Sequence, residues 1–192
     1  MSQEYQSVDL VGDETVKQFT GAVLIAALTA VLAQFSIPLP SGTPFSLQPF
    51  GMFFAGLLLG PLWGGFAWAL YLLVGIAGAP VFANLGAGLG YIVGGPTGGF
   101  LVGFLLGAVA AGAIVHRGLQ PRDLSTVSVP VQAAGLFAAI VIVYLVGVPW
   151  YAAIQGLPIE RAVVVLSPLM PLDLVKLGIA IAIVEGGYLV RQ

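Results

Sequence analysis

Residues 168–190, PLMPLDLVKLGIAIAIVEGGYLV, form an apolar run long enough to cross a bilayer, with Asp173 and Lys176 inside it. An ionisable side chain at membrane depth costs about 2.5–3.5 kcal/mol on insertion scales. Such a pair persists where the two groups satisfy each other or a polar ligand. At i and i+3 they share one helix face and can do either. The chain is therefore expected to form a membrane-embedded cup organised around that face.

The remaining composition agrees. Of 192 residues, 59% are hydrophobic and 7% charged, whereas soluble domains carry about 25% charged residues. Six Lys/Arg and eight Asp/Glu cannot cover a soluble fold of this size, so the expected class is an all-α polytopic membrane protein. With one histidine and no cysteine, neither a metal cluster nor thiol chemistry is in view. Lys17 and Lys176 each follow a valine, so there is no Walker A loop. A net charge of −2 gives no basic patch for nucleic acid. An enzyme is not expected, no cofactor is implied, and energised transport must draw on a partner or a gradient.

Residues 1–15 hold Glu4, Asp9, Asp13 and Glu14 and no Lys or Arg. They read as an acidic soluble tail ahead of a single membrane domain, 16–192. The first span, 16–37, carries Ala22, Ala26 and Ala30 at every fourth place. Small residues at that spacing let another helix approach closely, either inside this chain or on a partner. Residues 38–49, PLPSGTPFSLQP, are too rich in proline for a regular helix and are read as a lid.

The block 50–78 is long for one crossing and short for two, with a break at GPLWGG. Two crossings give six spans, amino and carboxyl termini cytoplasmic, with Lys17, Arg117, Arg122 and Arg191 inside and Arg161 outside. The positive-inside rule favours that arrangement over five spans. A glycine-rich, uncharged stretch follows at 79–99; irregular backbone there must be buried in protein or line a cavity. His116, beside Arg117 at the end of the fourth span, is read as a surface histidine. The loop 116–128 is placed in the cytoplasm, and the fifth span, 129–148, has Tyr144 as its only ionisable group. Trp150 and Tyr151 are read as interface anchors.

Pro168 and Pro171 suggest a helix start near them, which sets Asp173 and Lys176 within about two turns of a positive dipole end. In this reading Lys176 and that end seat a carboxylate. Asp173 and Asn84 bond a polar ring, while Phe45, Tyr91 and Trp150 pack the apolar remainder. The pocket suits a small, partly apolar, anionic ligand.

Three segments, PLPSGTPFSLQPFGMFFAGLLLGP, LYLLVGIAGAPVFANLGAGLGYIVGGPTGGF and PLDLVKLGIA, resemble the BioY family. These are biotin-binding S components of energy-coupling-factor (ECF) vitamin transporters. The resemblance covers residues 20–116 and 168–185, with Leu172 standing where the family has glycine. It implies a six-helix S-component fold in the plasma membrane, with biotin as transported ligand. Asp173 and Lys176 match the family's D-x-x-K pair, and Asn84 matches a polar position of its glycine-rich loop. The implied partners are a transmembrane coupling subunit, docked through Ala22, Ala26 and Ala30, and ABC-type ATPases. Other readings stay open: an S component for another anionic vitamin, a solitary biotin facilitator, a proton-coupled carrier, or a structural membrane protein.

Overall fold

The computed structural model describes residues 12–189. Helix α1 (Asp13–Gln34) leads into a two-stranded antiparallel hairpin, β1 (Ser36–Ile37) and β2 (Phe45–Ser46). Helix α2 (Pro49–Phe54) continues through a π-helical turn, Ala55–Leu59, into α3 (Gly60–Ile76). An irregular stretch holds α4 (Leu89–Val93) and precedes α5 (Gly98–His116). Helices α6 (Val129–Gln155), α7 (Ile159–Leu166) and α8 (Leu169–Leu189) complete the chain. Glu4, Asp9 and Arg191 lie outside the described residues.

By length and apolarity alone, Asp13–Gln34, Pro49–Ile76, Gly98–His116 and Val129–Gln155 qualify as spans. The pair α7–α8, bent by 49° at Ser167–Pro168, makes a fifth. Taken as one rod, Pro49–Ile76 would run about 42 Å. It doubles back instead. Gly60 has φ 73° and ψ −174°, a backbone region nearly closed to other residues. The reversal brings Gln48 Nε2 to 2.9 Å from the Tyr71 hydroxyl, 23 residues away. A Cβ on Gly64 would touch the Ala55 carbonyl at 2.7 Å. The second helix, expected either to borrow from the proline-rich loop or to be short, starts at Pro49 and is short.

Apolar residues everywhere leave shape as the main source of helix pairing in a membrane. Along α5 the glycines at 99, 103 and 107 supply it. A Cβ on Gly103 would meet Val143 Cα at 2.9 Å, and one on Gly107 would meet the Ala139 carbonyl at 3.2 Å. Backbone therefore lies against backbone where α5 crosses α6. A different device holds the π-helical turn. Its i→i+5 pattern leaves carbonyls short of donors, and His116 Nε2 lies 3.2 Å from the Gly56 oxygen and 2.9 Å from that of Leu57. Its Nδ1 accepts the Arg122 backbone N–H at 2.9 Å, which assigns the proton to Nε2. His116 is 2% exposed, which corrects the surface reading: the helix end is capped by the 117–124 loop rather than by water.

The alanine stripe also needs correction. Ala22 is 0% and Ala26 8% exposed, and Ala30 packs partly against the core. They continue the inward face of α1 with Ile25, Thr29 and Ala33, so a partner cannot reach them while α1 keeps its place. The exposed side of α1 instead carries Phe19, Leu24, Leu28 and Val31. Tyr151 is likewise buried, its hydroxyl donating to the Ser41 carbonyl at 2.7 Å.

Three outcomes follow. Ala26→Leu forces extra volume into a filled interface, and destabilisation by about 1–3 kcal/mol is expected in denaturation of the detergent-solubilised chain. Gly60→Ala should cost a similar amount, about 1–3 kcal/mol. Gly178→Ala, where an added Cβ meets nothing within 4 Å, should be neutral or stabilising in the same assay.

Candidate functional site

Helix α8 begins at Leu169, between Pro168 and Pro171. The break at Ser167–Pro168 aims its first two turns at the interior beneath the β1–β2 hairpin. Asp173 and Lys176 sit on that inward face. Lys176 Nζ is 2.8 Å from Asp173 Oδ1, the two side chains being 6% and 15% exposed. The other carboxylate oxygen accepts the Tyr144 hydroxyl of α6 at 2.9 Å. Above the pair, the Phe45 ring of β2 lies with its centroid 4.2 Å from Lys176 Nζ, a cation–π contact. The carboxylate thus has one partner on each oxygen, and the ammonium has a carboxylate and a ring.

These groups line one cavity with residues of the proline-rich loop, α4, α5 and α6. The loop contributes Thr43, Phe45 and Gln48; α4 contributes Tyr91; α5 contributes Phe100 and Phe104. The free space between them is about 50 Å³, enough for a few water molecules, and Lys176 and Phe45 narrow it.

Of the expected ligand-binding residues, Asp173, Lys176, Phe45 and Tyr91 line this cavity. Tyr91 is held by its hydroxyl donating to the Ala83 carbonyl at 3.1 Å and by stacking on Phe82, centroids 5.2 Å apart. Asn84 and Trp150 do not line it. Asn84 takes left-handed backbone, φ 57°, and its Oδ1 accepts from Ser36 Oγ at 2.9 Å, so its carboxamide staples the glycine-rich loop to β1. Trp150 donates from Nε1 to the Gly95 carbonyl at 3.1 Å. Its ring packs where Gly99 lacks a side chain, serving the α5–α6 crossing.

Five polar residues of the cavity, Thr43, Ser46, Gln48, Thr97 and Tyr144, were not among the site residues expected from sequence. Gln48, 5% exposed, donates to Tyr71, whose hydroxyl donates to the Val81 carbonyl at 2.8 Å. Thr43 is 5% exposed, and its Oγ1 has no partner among the described residues. Tyr144 carried a signal, as the one ionisable group of its span; Thr43 and Gln48 carried none beyond their place in a loop. No group of metal-ligating side chains occurs among the described residues. The arrangement offers a carboxylate, an ammonium, hydroxyls, an amide and aromatic walls, which is binding chemistry.

Removing one partner of such a pair strands the other charge away from water. Lys176→Met alone should destabilise the chain by about 3–5 kcal/mol. Lys176→Met combined with Asp173→Asn should recover much of that loss, read as the coupling in a double-mutant cycle of denaturation.

Comparison with known proteins agrees with this architecture. The chain is 33% identical over 169 residues to the probable biotin transporter BioY of Pyrococcus horikoshii, covering 88% of this chain and 94% of that protein. It is 39% identical over 167 residues to the biotin transporter BioY of Rhodobacter capsulatus, covering 81% and 82%. Its fold matches the crystal structure of the S-component for biotin from an ECF-type ABC transporter, with TM-score 0.82, 23% identity and 95% of each chain covered. The sequence model of the BioY family matches residues 2–191. With that extent of match, the chain belongs to the BioY family.

Proposed function

We propose that this chain is the biotin-binding membrane subunit of an ECF-type vitamin transporter, capturing biotin from the outer side of the plasma membrane. The observation that carries the reading is the Asp173–Lys176 pair, bonded to Tyr144 and roofed by Phe45 in one cavity, in a chain of this family. The function is binding and transport rather than catalysis, with biotin as cargo and no cofactor.

The geometry refines the expected pose. Asp173 and Lys176 are 2.8 Å apart, so both meet the same end of the ligand. The ureido ring of biotin presents N–H donors beside a carbonyl acceptor: an N–H goes to Asp173 and the carbonyl to Lys176. Phe100, Phe104 and Tyr91 then flank the ring system, and Thr43 Oγ1 and Gln48 lie along the path to the lid. Asn84 acts by fixing the loop that carries Ala83 and Tyr91, and Trp150 by fixing the start of α5. Binding lifts the β1–β2 hairpin, replaces the internal ion pair with ligand bonds, and closes it again.

In this reading the chain makes six passes, α1, α2 with its π-helical turn, α3, α5, α6 and α8, and both termini are cytoplasmic. The Gly60 reversal supports two passes from Pro49–Ile76, and the Lys/Arg distribution supports the orientation. An acidic tail leads into one membrane domain, with Asp13, Glu14 and Thr15 already in the first turn of α1. Partner subunits, a membrane coupling protein and ABC-type ATPases, supply the energy that this chain has no motif to generate. They dock on the outward face of α1 rather than on Ala22 and Ala26.

Calorimetry on the purified chain, stripped of endogenous ligand, tests the reading. One-to-one biotin binding is expected, weakened at least tenfold by Lys176→Ala and about tenfold by Tyr144→Phe. If Lys176 meets the ureido carbonyl, biotin and its neutral carboxamide suffer the same loss in Lys176→Ala. A loss confined to biotin would return Lys176 to the carboxylate. Unchanged affinity in a folded Lys176→Ala chain would remove it from the site.

A further inference from the structure

Asp173 and Lys176 account for only part of a cyclic urea. One N–H meets the carboxylate and the carbonyl meets the ammonium. The second N–H, on the other flank of that carbonyl, still needs an acceptor. A buried donor left unmatched is costly. Full recognition of the ring therefore depends on a further acceptor in the same cavity.

Gln48 lines the cavity with Asp173 and Lys176 and is 5% exposed. It closes the proline-rich loop, directly ahead of Pro49 at the start of α2. A relay fixes the orientation of its amide. The Tyr71 hydroxyl gives its one proton to the Val81 carbonyl at 2.8 Å. Toward Gln48 it therefore accepts, and the amide group 2.9 Å away is the donor Nε2. Oε1 then lies on the other side of the amide and accepts no hydrogen bond among the described residues. Nor is it sealed inside the protein. The sealed, unpartnered side-chain atoms are Gln18 Oε1, Thr43 Oγ1, Trp68 Nε1 and Gln132 Oε1, and Gln48 Oε1 is not one of them.

The chemistry of that oxygen selects what it faces. It accepts and does not donate, so the ionised carboxylate of biotin is repelled from it. The donors biotin carries are its two ureido N–H groups. With one on Asp173, the other matches Gln48. Competing acceptors are weaker choices. Thr43 Oγ1 is sealed, Ser46 Oγ already accepts the Gln48 backbone N–H at 3.3 Å, and the Tyr91 hydroxyl is turned to the Ala83 carbonyl.

We propose that Gln48 is a specificity-determining residue that accepts the second ureido N–H of the ligand, so that the cyclic urea is held from both flanks of its carbonyl. This rests on the biotin reading above. Tyr71 serves as the positioning residue, holding the amide with its oxygen toward the cavity.

The test is calorimetry on the purified full chain with biotin and its two lactam analogues, in which one or the other ureido N–H is replaced by CH2. Both lactams should bind the wild-type chain at least tenfold more weakly than biotin. Gln48→Met should lower biotin affinity about tenfold, to the level of one lactam, while that lactam binds both chains alike. The other lactam, which lacks the N–H on Asp173, should stay about tenfold below biotin in Gln48→Met. A wild-type chain that penalises only one lactam would overturn the proposal, and this arm needs no variant that folds. A parallel loss of biotin and both lactams in Gln48→Met would also overturn it, assigning Gln48 to the Tyr71 relay alone. A folded wild-type chain that binds none of the three would withdraw biotin itself, a result distinct from lost discrimination.

Discussion

Hydrocarbon offers no hydrogen-bond partner, and that constraint governs how most polar side chains within the described bundle are bonded. At the outer end the polar side chains are spent on contacts between distant segments. Tyr144 reaches Asp173, Tyr151 reaches Ser41, Trp150 reaches Gly95, and Gln34 Nε2 reaches the Val81 and Phe82 carbonyls. Gln48 and Tyr71 chain the proline-rich loop to the glycine-rich one. None of these bonds belongs to a helical ladder. The outer end can therefore rearrange by exchanging side-chain bonds while the helices keep their own.

The ion pair sits at the centre of that exchange. Asp173 and Lys176 are satisfied by each other, by Tyr144 and by Phe45, so neither charge is stranded. A ligand that brings both a donor and an acceptor replaces these partners nearly one for one. Ligands lacking either group would leave one member of the pair buried and unmatched, a loss of several kcal/mol in ordinary cases, roughly 3–5. Selectivity then comes from the penalty on wrong ligands as much as from contacts to the right one.

Much of this was legible in the chain because bilayers impose coarse rules. Span lengths, the lid-forming prolines and the costly pair in the last span are all written in residue type and spacing. The reversal at Gly60 showed as a break at GPLWGG, although nothing in the residues said that the second helix would be short. The side of α1 that the alanines face was not legible. Alanine is as acceptable against lipid as against protein, and in the structure Ile25, Thr29 and Ala33 join Ala22 and Ala26 on the inward side. Asn84 and Trp150 were misplaced for another reason. Their bonds to Ser36 and Gly95 depend on how two irregular loops meet, and local pattern does not encode that meeting. Tyr144 on α6 meets Asp173 on α8, and the approach of those two helices is not encoded in local pattern either.

The inner end obeys different physics. There α6 meets α5 at Gly135, and the doubled-back Pro49–Ile76 segment meets α5 at Gly56 and Gly112, close contacts that have no loose alternative arrangement. His116 locks the π-helical turn to the 117–124 loop from both ring nitrogens, and Arg122 Nη2 adds a bond to the Val115 carbonyl at 2.7 Å. Opening this end would break the bonds that His116 and Arg122 make to the Gly56, Leu57 and Val115 carbonyls. In the proposed orientation a ligand therefore enters and leaves by the end that carries Asp173 and Lys176, and delivery to the other side falls to movement of the whole body rather than to an opening at this end.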